Sequence, residues 1–285
     1  MPSVDVNGVA LYYEDSGSGQ PIVFSHGIPT DYRAWSAQTG PFSKTRRVVT
    51  YSRRYAYPNK REGDVTDSTV GNNAEDLRGL IEKLGAGPVD LIGHSYGGFI
   101  AAQLAADHPE LVRSLVLVEP AISTLLVEDE RSRGQMLSLL IRSPSVAISA
   151  RDFQLKSLYP SLMALDAGET AKAVGLNVDG VQGAPGSFAA MPASQRQMML
   201  DNAKTIAELR TKFPPFKAQI RKITCNTLVI NGEESALWLR RIGKLAATSL
   251  PHAWFAIISK SRHFPHIENA PEFNERVLNF LSTSS

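Results

Sequence analysis

A serine close to two glycines is the residue of this chain best placed for nucleophilic chemistry. It is Ser95, at the centre of the pentapeptide Gly-His-Ser-Tyr-Gly that spans residues 93–97. Mostly apolar residues precede it (89–92) and follow it (98–106), which predicts a buried strand leading into a buried helix. A sharp strand-to-helix turn presents a hydroxyl at the end of a sheet, and the glycines let neighbouring segments approach closely. The pattern therefore predicts Ser95 as a nucleophile.

A serine hydroxyl needs a base to accept its proton, and one of the six histidines suits that role. His263 follows a predicted strand, residues 253–258, and a polar turn, so we expect it on the last loop at the carboxyl edge of the sheet. The alternative base is His266, three residues further on. His94 is expected to pack inside the turn, and His108 to lie at an exposed helix end.

The rest of the pattern predicts the sheet that positions these residues. Apolar strands alternate with helices, which favours a mostly parallel α/β sheet covered by helices on both faces. The predicted strands are residues 3–6, 9–14, 22–25, 47–51, 89–92, 114–118, 227–230 and 253–258, and the main predicted helices are 70–84, 98–108, 236–250 and 271–281. Residues 122–217 are helical and irregular, without a convincing strand. We therefore predict a core of residues 1–121 and 218–285 and a helical cap, residues 122–217, above the carboxyl ends of the strands.

Several segments resemble the capped members of the α/β-hydrolase family. They are His26-Gly27, residues 93–98, the Leu-Val-Leu-Val-Glu-Pro of residues 115–120, Asn231-Gly232-Glu233 and His263-Phe264-Pro265. The likeness extends over residues 5–282 apart from the cap. It implies the α/β-hydrolase fold and a mechanism in which a serine, a histidine and a carboxylate act together.

The carboxylate is where the chain departs from the usual pattern of that family. Most members place it three residues after the glycine of a Gly-Glu pair, and here that residue is the uncharged Ser235. Glu119, directly after the apolar run 115–118, offers a carboxylate at the same edge of the sheet, as in members similar to zearalenone lactonase. Burying it there without a partner would be costly, and a histidine would be a suitable partner. We predict Glu119 as the acid, with Glu234 and then Glu233 as alternatives.

The negative oxygen that develops during acyl transfer needs two hydrogen-bond donors. One is predicted to be the backbone N–H of Tyr96, the residue after the nucleophile. The family resemblance implies that the other is the backbone N–H of Ile28, which follows His26-Gly27. A further segment, residues 51–57, holds three tyrosines and two arginines. It predicts either packing of cations on aromatic rings or a site for an acidic substrate.

Composition narrows the classes of partner. The 285 residues carry 30 basic and 28 acidic side chains, a net charge of +2, so we expect neither nucleic acid nor a membrane as a partner. No apolar stretch approaches the roughly 18 residues of a membrane span, and the start lacks the pattern of a secretory signal. The single cysteine, Cys225, has no disulfide partner and no metal-ligand spacing around it. These features predict a cytoplasmic protein with no metal or organic cofactor.

Taken together, these residues predict a serine hydrolase that cleaves a small apolar carboxylic ester or lactone through an acyl-enzyme. Ser95, His263 and Glu119 would form the triad, with Ile28 and Tyr96 as oxyanion donors. A serine nucleophile argues against dehalogenase and epoxide-hydrolase chemistry, whose enzymes use aspartate there. Two alternatives remain: cleavage of a carbon–carbon bond next to a ketone by the same residues, and a non-catalytic receptor that binds a small molecule in the same pocket. No oligomeric state is predicted.

Overall fold

The centre of the molecule is an eight-stranded sheet. The computed structural model describes residues 2–59, 63, 65–129 and 132–283. The strands are β1 (Ser3–Val6), β2 (Val9–Gly17), β3 (Pro21–Ser25), β4 (Arg47–Tyr51), β5 (Val89–His94), β6 (Val112–Val118), β7 (Asn226–Gly232) and β8 (Ala253–Ile258). Their order is β1-β2-β4-β3-β5-β6-β7-β8. Strand β2 is antiparallel to β1 and β4, and all other neighbours are parallel. The mostly parallel α/β-hydrolase sheet predicted from the sequence is therefore confirmed.

A tight turn fixes the start of β2, and pairing with β4 fixes its end. Asn7 and Gly8 have φ of 49° and 74°, the left-handed values that a tight hairpin between β1 and β2 requires. Strand β2 runs to Gly17, three residues beyond the predicted end, because it pairs with β4 as far as Arg47. The acidic and small residues of that extension weaken the strand pattern in the sequence, and the pairing overrides it.

Helices cover both faces of the sheet. They are α1 (Ser36–Ser43), α2 (Val70–Lys83), α3 (Tyr96–Asp107), α4 (Arg133–Arg142), α5 (Pro144–Phe153), α6 (Tyr159–Asp166), α7 (Thr170–Gln182), α8 (Ser187–Ala190), α9 (Ala193–Asp201), α10 (Leu237–Ser249), α11 (Pro265–Glu268) and α12 (Ala270–Thr283). Because side chains alternate along a strand, Ile22 and Phe24 of β3 pack in the cluster that includes Phe273 of α12, whereas Val23 packs in the cluster with Leu77 of α2. None of the helices in the described ranges is long and apolar enough to cross a membrane.

The chain between β6 and β7 is helical. Within the described parts of residues 122–217, here called the helical segment, all regular elements are helices or short helical turns, including α4 to α9 and a 3₁₀ run, Ala203–Arg210. The chain returns to the sheet at Asn226, the start of β7. Several residues of the helical segment line a cavity that also contains Ser95, at the carboxyl edge of the sheet.

Candidate active site

Ser95 lies at the corner between β5 and α3. Its backbone has φ 52° and ψ −117°, a region that residues with a Cβ rarely adopt. Backbone hydrogen bonds maintain this geometry: the Ser95 N–H donates to Val118 O at 2.9 Å, and the Ala121 N–H donates to Ser95 O at 3.1 Å. Both bonds tie the corner to the segment that follows β6. The strained residue is therefore fixed by the neighbouring strand as well as by its own helix.

The glycines of the pentapeptide are required by close packing. A Cβ on Gly97 would lie 2.3 Å from Ser25 O, and one on Gly93 would lie 2.5 Å from Gly97 O. Real Cβ atoms do not approach backbone oxygens so closely, so only glycine fits at either position. Ser95 itself is only 7% exposed, which places its hydroxyl in a largely water-excluded environment.

His263, on the loop after β8, meets the serine directly. Its Nε2 lies 2.9 Å from Ser95 Oγ, and the residue is 1% exposed. Its backbone is held on both sides: its N–H donates to Gln182 Oε1 at 2.9 Å, and its carbonyl accepts from His94 Nε2 at 2.7 Å. Because that carbonyl can only accept, His94 carries its proton on Nε2. Burial, with a smaller contribution from His266, lowers the pKa of His94 well below its ordinary value, so His94 is a neutral support for the loop.

Glu119 lies behind the imidazole, directly after β6. Its Oε2 is 3.4 Å from His263 Nδ1, and the side chain is fully buried. The other oxygen, Oε1, accepts three hydrogen bonds, from Asn231 Nδ2 at 2.6 Å, Gly232 N at 2.7 Å and Ser235 Oγ at 2.7 Å. These three donors compensate for the loss of water around a carboxylate and orient its second oxygen towards the ring.

The two alternative acids point elsewhere. The Glu234 side chain is 51% exposed, and its Oε2 lies 3.2 Å from Nη2 of Arg262. Glu233 accepts a hydrogen bond from the backbone N–H of Lys260 at 3.0 Å. Ser235, at the position where the family resemblance places the usual acid, donates to Glu119 instead. The structure therefore brings Glu119 to the imidazole and leaves Glu233 and Glu234 on other partners.

The alternative base, His266, has a different environment. Its ring is buried with its centroid 4.5 Å from those of both Trp35 and His94, and neither ring nitrogen has a hydrogen-bond partner within the described part of the chain. Burial lowers the pKa of His266 to about 3, and His263 contributes in the same direction. The expected packing role of His94 agrees with its contacts. His108 is partly exposed, with its Nε2 3.3 Å from Glu75 Oε1.

The loop after β3 packs directly against Ser95. His26 donates from Nδ1 to Gly27 O at 2.9 Å, and its Nε2 accepts from the Arg53 N–H at 3.0 Å, which defines a neutral tautomer. Burial, and then the charge of Arg53, lower the pKa of His26 well below its ordinary value. A Cβ on Gly27 would lie 3.0 Å from Ser95 Cβ. The next residue, Ile28, lines the same cavity as Ser95, Tyr96 and His263.

The two arginines of residues 51–57 are occupied by carboxylates of the protein. Arg53 Nη1 lies 2.5 Å from Glu208 Oε2, with both side chains fully buried, and its guanidinium lies 4.9 Å from the centroid of the Tyr96 ring. Arg54 makes two hydrogen bonds to Asp76, at 2.8 and 2.9 Å. Burial raises the pKa of Glu208, and the charge of Arg53 opposes that rise. Packing of a cation on an aromatic ring, Arg53 over Tyr96, is therefore the alternative that the structure supports.

A cavity of about 900 Å³ opens over Ser95 and His263. Its other walls are mainly apolar, and they include Leu126, Val127, Met136, Leu139, Phe153, Leu158, Leu162, Val181, Leu209, Phe213 and Trp238. Most of these residues belong to the helical segment, so that segment encloses the space above the serine. The volume and the apolar lining are typical of a site for a small organic molecule.

Sequence reasoning did not identify several residues that hold this arrangement. Gln182, Asn231 and Glu208 all lie far along the chain from the residues they contact. Gln182 and Glu208 have no motif around them, and Asn231, although it stands in one of the segments that resemble the family, had no predicted role. Ser235 is the exception, because the family resemblance marked its position as that of the usual acid, and the structure places it beside Glu119.

Comparison with known proteins finds one matching family and similarity to several kinds of hydrolase. A family model described as the alpha/beta hydrolase fold matches residues 20–270. The 2-hydroxymuconate semialdehyde hydrolase of a Pseudomonas species is 27% identical to this chain, over 96% of this chain and 91% of the relative. A thermophilic esterase from Thermogutta terrifontis has a similar structure, with a TM-score of 0.69 and 20% identity, over 99% of this chain and 97% of that one. The enol-lactonase of Burkholderia xenovorans LB400 gives a TM-score of 0.64 at 19% identity, over 99% of this chain and 100% of that one.

Proposed function

Because this chain belongs to the alpha/beta-hydrolase family, we propose that it is a serine hydrolase that cleaves a carboxylic ester or lactone through an acyl-enzyme. One observation carries the proposal: Ser95 Oγ lies 2.9 Å from His263 Nε2, with Glu119 beyond the ring, at the wall of a large apolar cavity. In this proposal Ser95 is the nucleophile, His263 the general base and Glu119 the acid that orients it.

The first step is attack on the carbonyl carbon. As the bond from Ser95 Oγ to that carbon forms, the hydroxyl proton passes to His263 Nε2. The imidazolium then carries a proton on each nitrogen, and the one on Nδ1 faces the Glu119 carboxylate. Their separation of 3.4 Å is long for a hydrogen bond, and we expect it to shorten as the ring becomes charged.

The oxygen of the former carbonyl becomes negative in that step. We assign its two donors to the backbone N–H groups of Tyr96, the first residue of α3, and Ile28. The N-terminus of α3 adds a positive dipole at the same place. Removal of one such donor typically raises the barrier by about 3 kcal/mol.

Collapse of the tetrahedral intermediate forms the acyl-enzyme, and hydrolysis of the acyl-enzyme completes the cycle. His263 donates its Nε2 proton to the departing alkoxide, which leaves as the alcohol, or as the hydroxyl end of an opened lactone. Water then attacks the acyl-serine as His263 removes one of its protons. The bond to Ser95 Oγ breaks, the carboxylic acid leaves, and the proton on His263 returns to Ser95. We assign residues 122–217 to a cap that excludes bulk water during these steps, because they supply most of the apolar walls.

A second candidate is hydrolysis of a carbon–carbon bond next to a ketone. The observation that favours it is the 27% identity to 2-hydroxymuconate semialdehyde hydrolase over nearly the whole of both chains. The same serine and histidine would face the substrate ketone.

Hydrolysis assays with three kinds of substrate test the proposal. The purified protein is assayed with p-nitrophenyl esters of increasing acyl length, with lactones and with a vinylogous diketone. We expect turnover of esters or lactones that is lost in Ser95→Ala and retained in Ser282→Ala, a control at an exposed serine of α12. Turnover of the diketone alone would favour the second candidate. The absence of turnover with every substrate would contradict both and favour a binding protein.

A further inference from the structure

The two edges of the sheet differ in their chemistry. Strand β1, at one edge, has four residues and carries Asp5, a charge that disfavours pairing with another chain. Strand β8, at the other edge, has the sequence Ala-Trp-Phe-Ala-Ile-Ile, with neither a charge nor a proline. Three of its side chains are exposed, Trp254 by 53%, Phe255 by 37% and Ile257 by 42%. Natural proteins usually protect or cover an apolar edge of this kind, so β8 requires an explanation.

Alternate backbone groups of β8 point away from the sheet. In the parallel pair of β7 and β8, the Thr227 N–H donates to His252 O at 2.9 Å. Because parallel pairing uses every second residue of a strand, the even-numbered residues of β8 bond to β7. The N–H and C=O groups of Ala253, Phe255 and Ile257 therefore lie at the open edge. No strand other than β7 pairs with β8 in the described part of the chain.

Strand β8 is complementary to a second copy of itself. In an antiparallel pair with a two-fold axis at Phe255, that residue faces Phe255 of the second copy, and Ala253 faces Ile257. Each of these pairs exchanges two hydrogen bonds, so all the outward groups of both strands are satisfied. Between them, Trp254 lies opposite the small Ala256 of the second copy. A register shifted by two residues would leave some outward groups without a strand partner.

We propose that the β8 edge is a dimer interface, at which two copies of this chain join antiparallel into one continuous sheet. The occupant is a second copy because the outward groups and the large and small side chains of β8 match those of the same strand reversed. No charge lies on β8, so the two strands do not repel each other. The inference is independent of the proposed function, since residues 253–258, all of them described, do not line the cavity over Ser95.

The exposed apolar surface sets the expected strength of the dimer. The exposed parts of Trp254, Phe255 and Ile257 together cover less than the about 800 Å² per copy that a typical stable interface buries. Helix α10, which packs against β8, and helix α12, whose Phe280 ring lies 5.8 Å from that of Trp254, flank the strand. We therefore expect a dimer that dissociates on dilution.

Charges placed at the two-fold axis test the interface. Sedimentation velocity of the purified protein between about 1 and 200 µM should show a monomer–dimer equilibrium. Phe255→Lys and Phe255→Glu each place two like charges opposite each other and should raise the Kd by about 100-fold or more. An equimolar mixture of these two variants should dimerise, because the facing charges are then opposite. Ile148→Lys, at an exposed apolar residue of α5, is the matched control and should dimerise like the parent protein.

Hydrogen exchange of the unchanged protein gives a second measurement that needs no variant. The N–H groups of Phe255 and Ile257 should exchange slowly at high concentration and rapidly after dilution below the Kd. The N–H of Ala256, which bonds to β7, should be protected at both concentrations and serves as the internal control. Residue-resolved nuclear magnetic resonance follows all three.

Four results would overturn the interface. They are a monomeric parent protein at about 200 µM, an unchanged Kd in folded Phe255→Lys, a mixture of the two charged variants that stays monomeric, and exchange of the Phe255 N–H that does not depend on concentration. A monomeric parent protein would leave the edge open to a strand of another protein and would contradict pairing with a second copy.

Discussion

Replacement of Glu119 by glutamine is the most informative perturbation of the site. The change keeps the size of the side chain and removes its charge. Oxygen Oε1 of Glu119 accepts three hydrogen bonds, from Asn231, Gly232 and Ser235. A glutamine has a single side-chain oxygen, and the three donors favour its placement where Oε1 of Glu119 lies.

The orientation of that glutamine determines its effect. If its oxygen stays with the three donors, its NH₂ group faces Nδ1 of His263, which must then accept. The proton of a neutral imidazole moves to Nε2, where it blocks transfer from Ser95. A carboxamide in place of a triad carboxylate costs about 10⁴ in kcat when it imposes this wrong tautomer. We therefore expect Glu119→Gln to lower kcat by about 10³ to 10⁴, which corresponds to roughly 4 to 5.5 kcal/mol of barrier.

Glu234→Gln is the matched control. Glu234 pairs with Arg262 on the surface, where a single ion pair contributes at most about 1 kcal/mol to stability. The kcat of Glu234→Gln is expected to lie within roughly tenfold of that of the parent protein. Steady-state and burst kinetics with one p-nitrophenyl ester measure both variants, and circular dichroism verifies their folding. A larger loss in Glu234→Gln, or a loss below tenfold in folded Glu119→Gln, would refute the assignment of the acid.

Three further changes test the surroundings of the triad. Gly97→Ala should lower the free energy of unfolding, measured in urea, by about 3 kcal/mol or more, because its Cβ would clash with Ser25 O. Gly40→Ala is the control and should be neutral or slightly stabilising, because no atom lies near the added Cβ. Equal effects of the two changes would contradict the packing argument. Burial lowers the pKa of His266 from 6.5 to about 3 in the folded protein, so the unfolded protein binds this proton more readily. The free energy of unfolding should therefore fall as the pH drops below 6.5, by about 2 kcal/mol at pH 5. That part of the loss should disappear in His266→Phe, and an unchanged pH dependence of the free energy of unfolding would count against the buried neutral ring. Ser235→Ala removes one of the hydrogen bonds to Glu119 and should lower kcat about tenfold with little change in KM; an unaltered kcat would show that this bond does not orient the acid.

Local patterns were sufficient to predict the core of the fold. Strands β1, β4 and β8 have the predicted ends, because apolar runs bounded by turn residues mark buried strands. The Asn7-Gly8 hairpin follows from backbone preferences alone. The last helix was predicted over residues 271–281, and the structure has it as α12 with slightly wider ends, whereas the short helix α11 before it was not predicted. Element ends of this kind depend on packing that a local pattern does not contain.

The candidate site was only partly accessible from sequence. Ser95 and His263 stand in motifs whose spacing implies where they lie, and the structure brings them to 2.9 Å. Glu119 was predicted by comparing two positions: the end of β6, which it follows, and residue 235, where a serine replaces the usual acid of the family. The supports could not be predicted, since Gln182 meets His263 across 81 residues of sequence and Glu208 meets Arg53 across 155. Such contacts arise from the packing of the helical segment against the sheet.

Covalent labelling with a phosphonate ester tests the central claim most directly. An activated phosphonate reacts with a serine only where a base removes the hydroxyl proton. Peptide mass spectrometry of the labelled protein should locate one phosphonyl group on Ser95, and labelling in His263→Ala should be slower by at least 10³. An adduct at another residue, or equally fast labelling in a folded His263→Ala variant, would contradict the account.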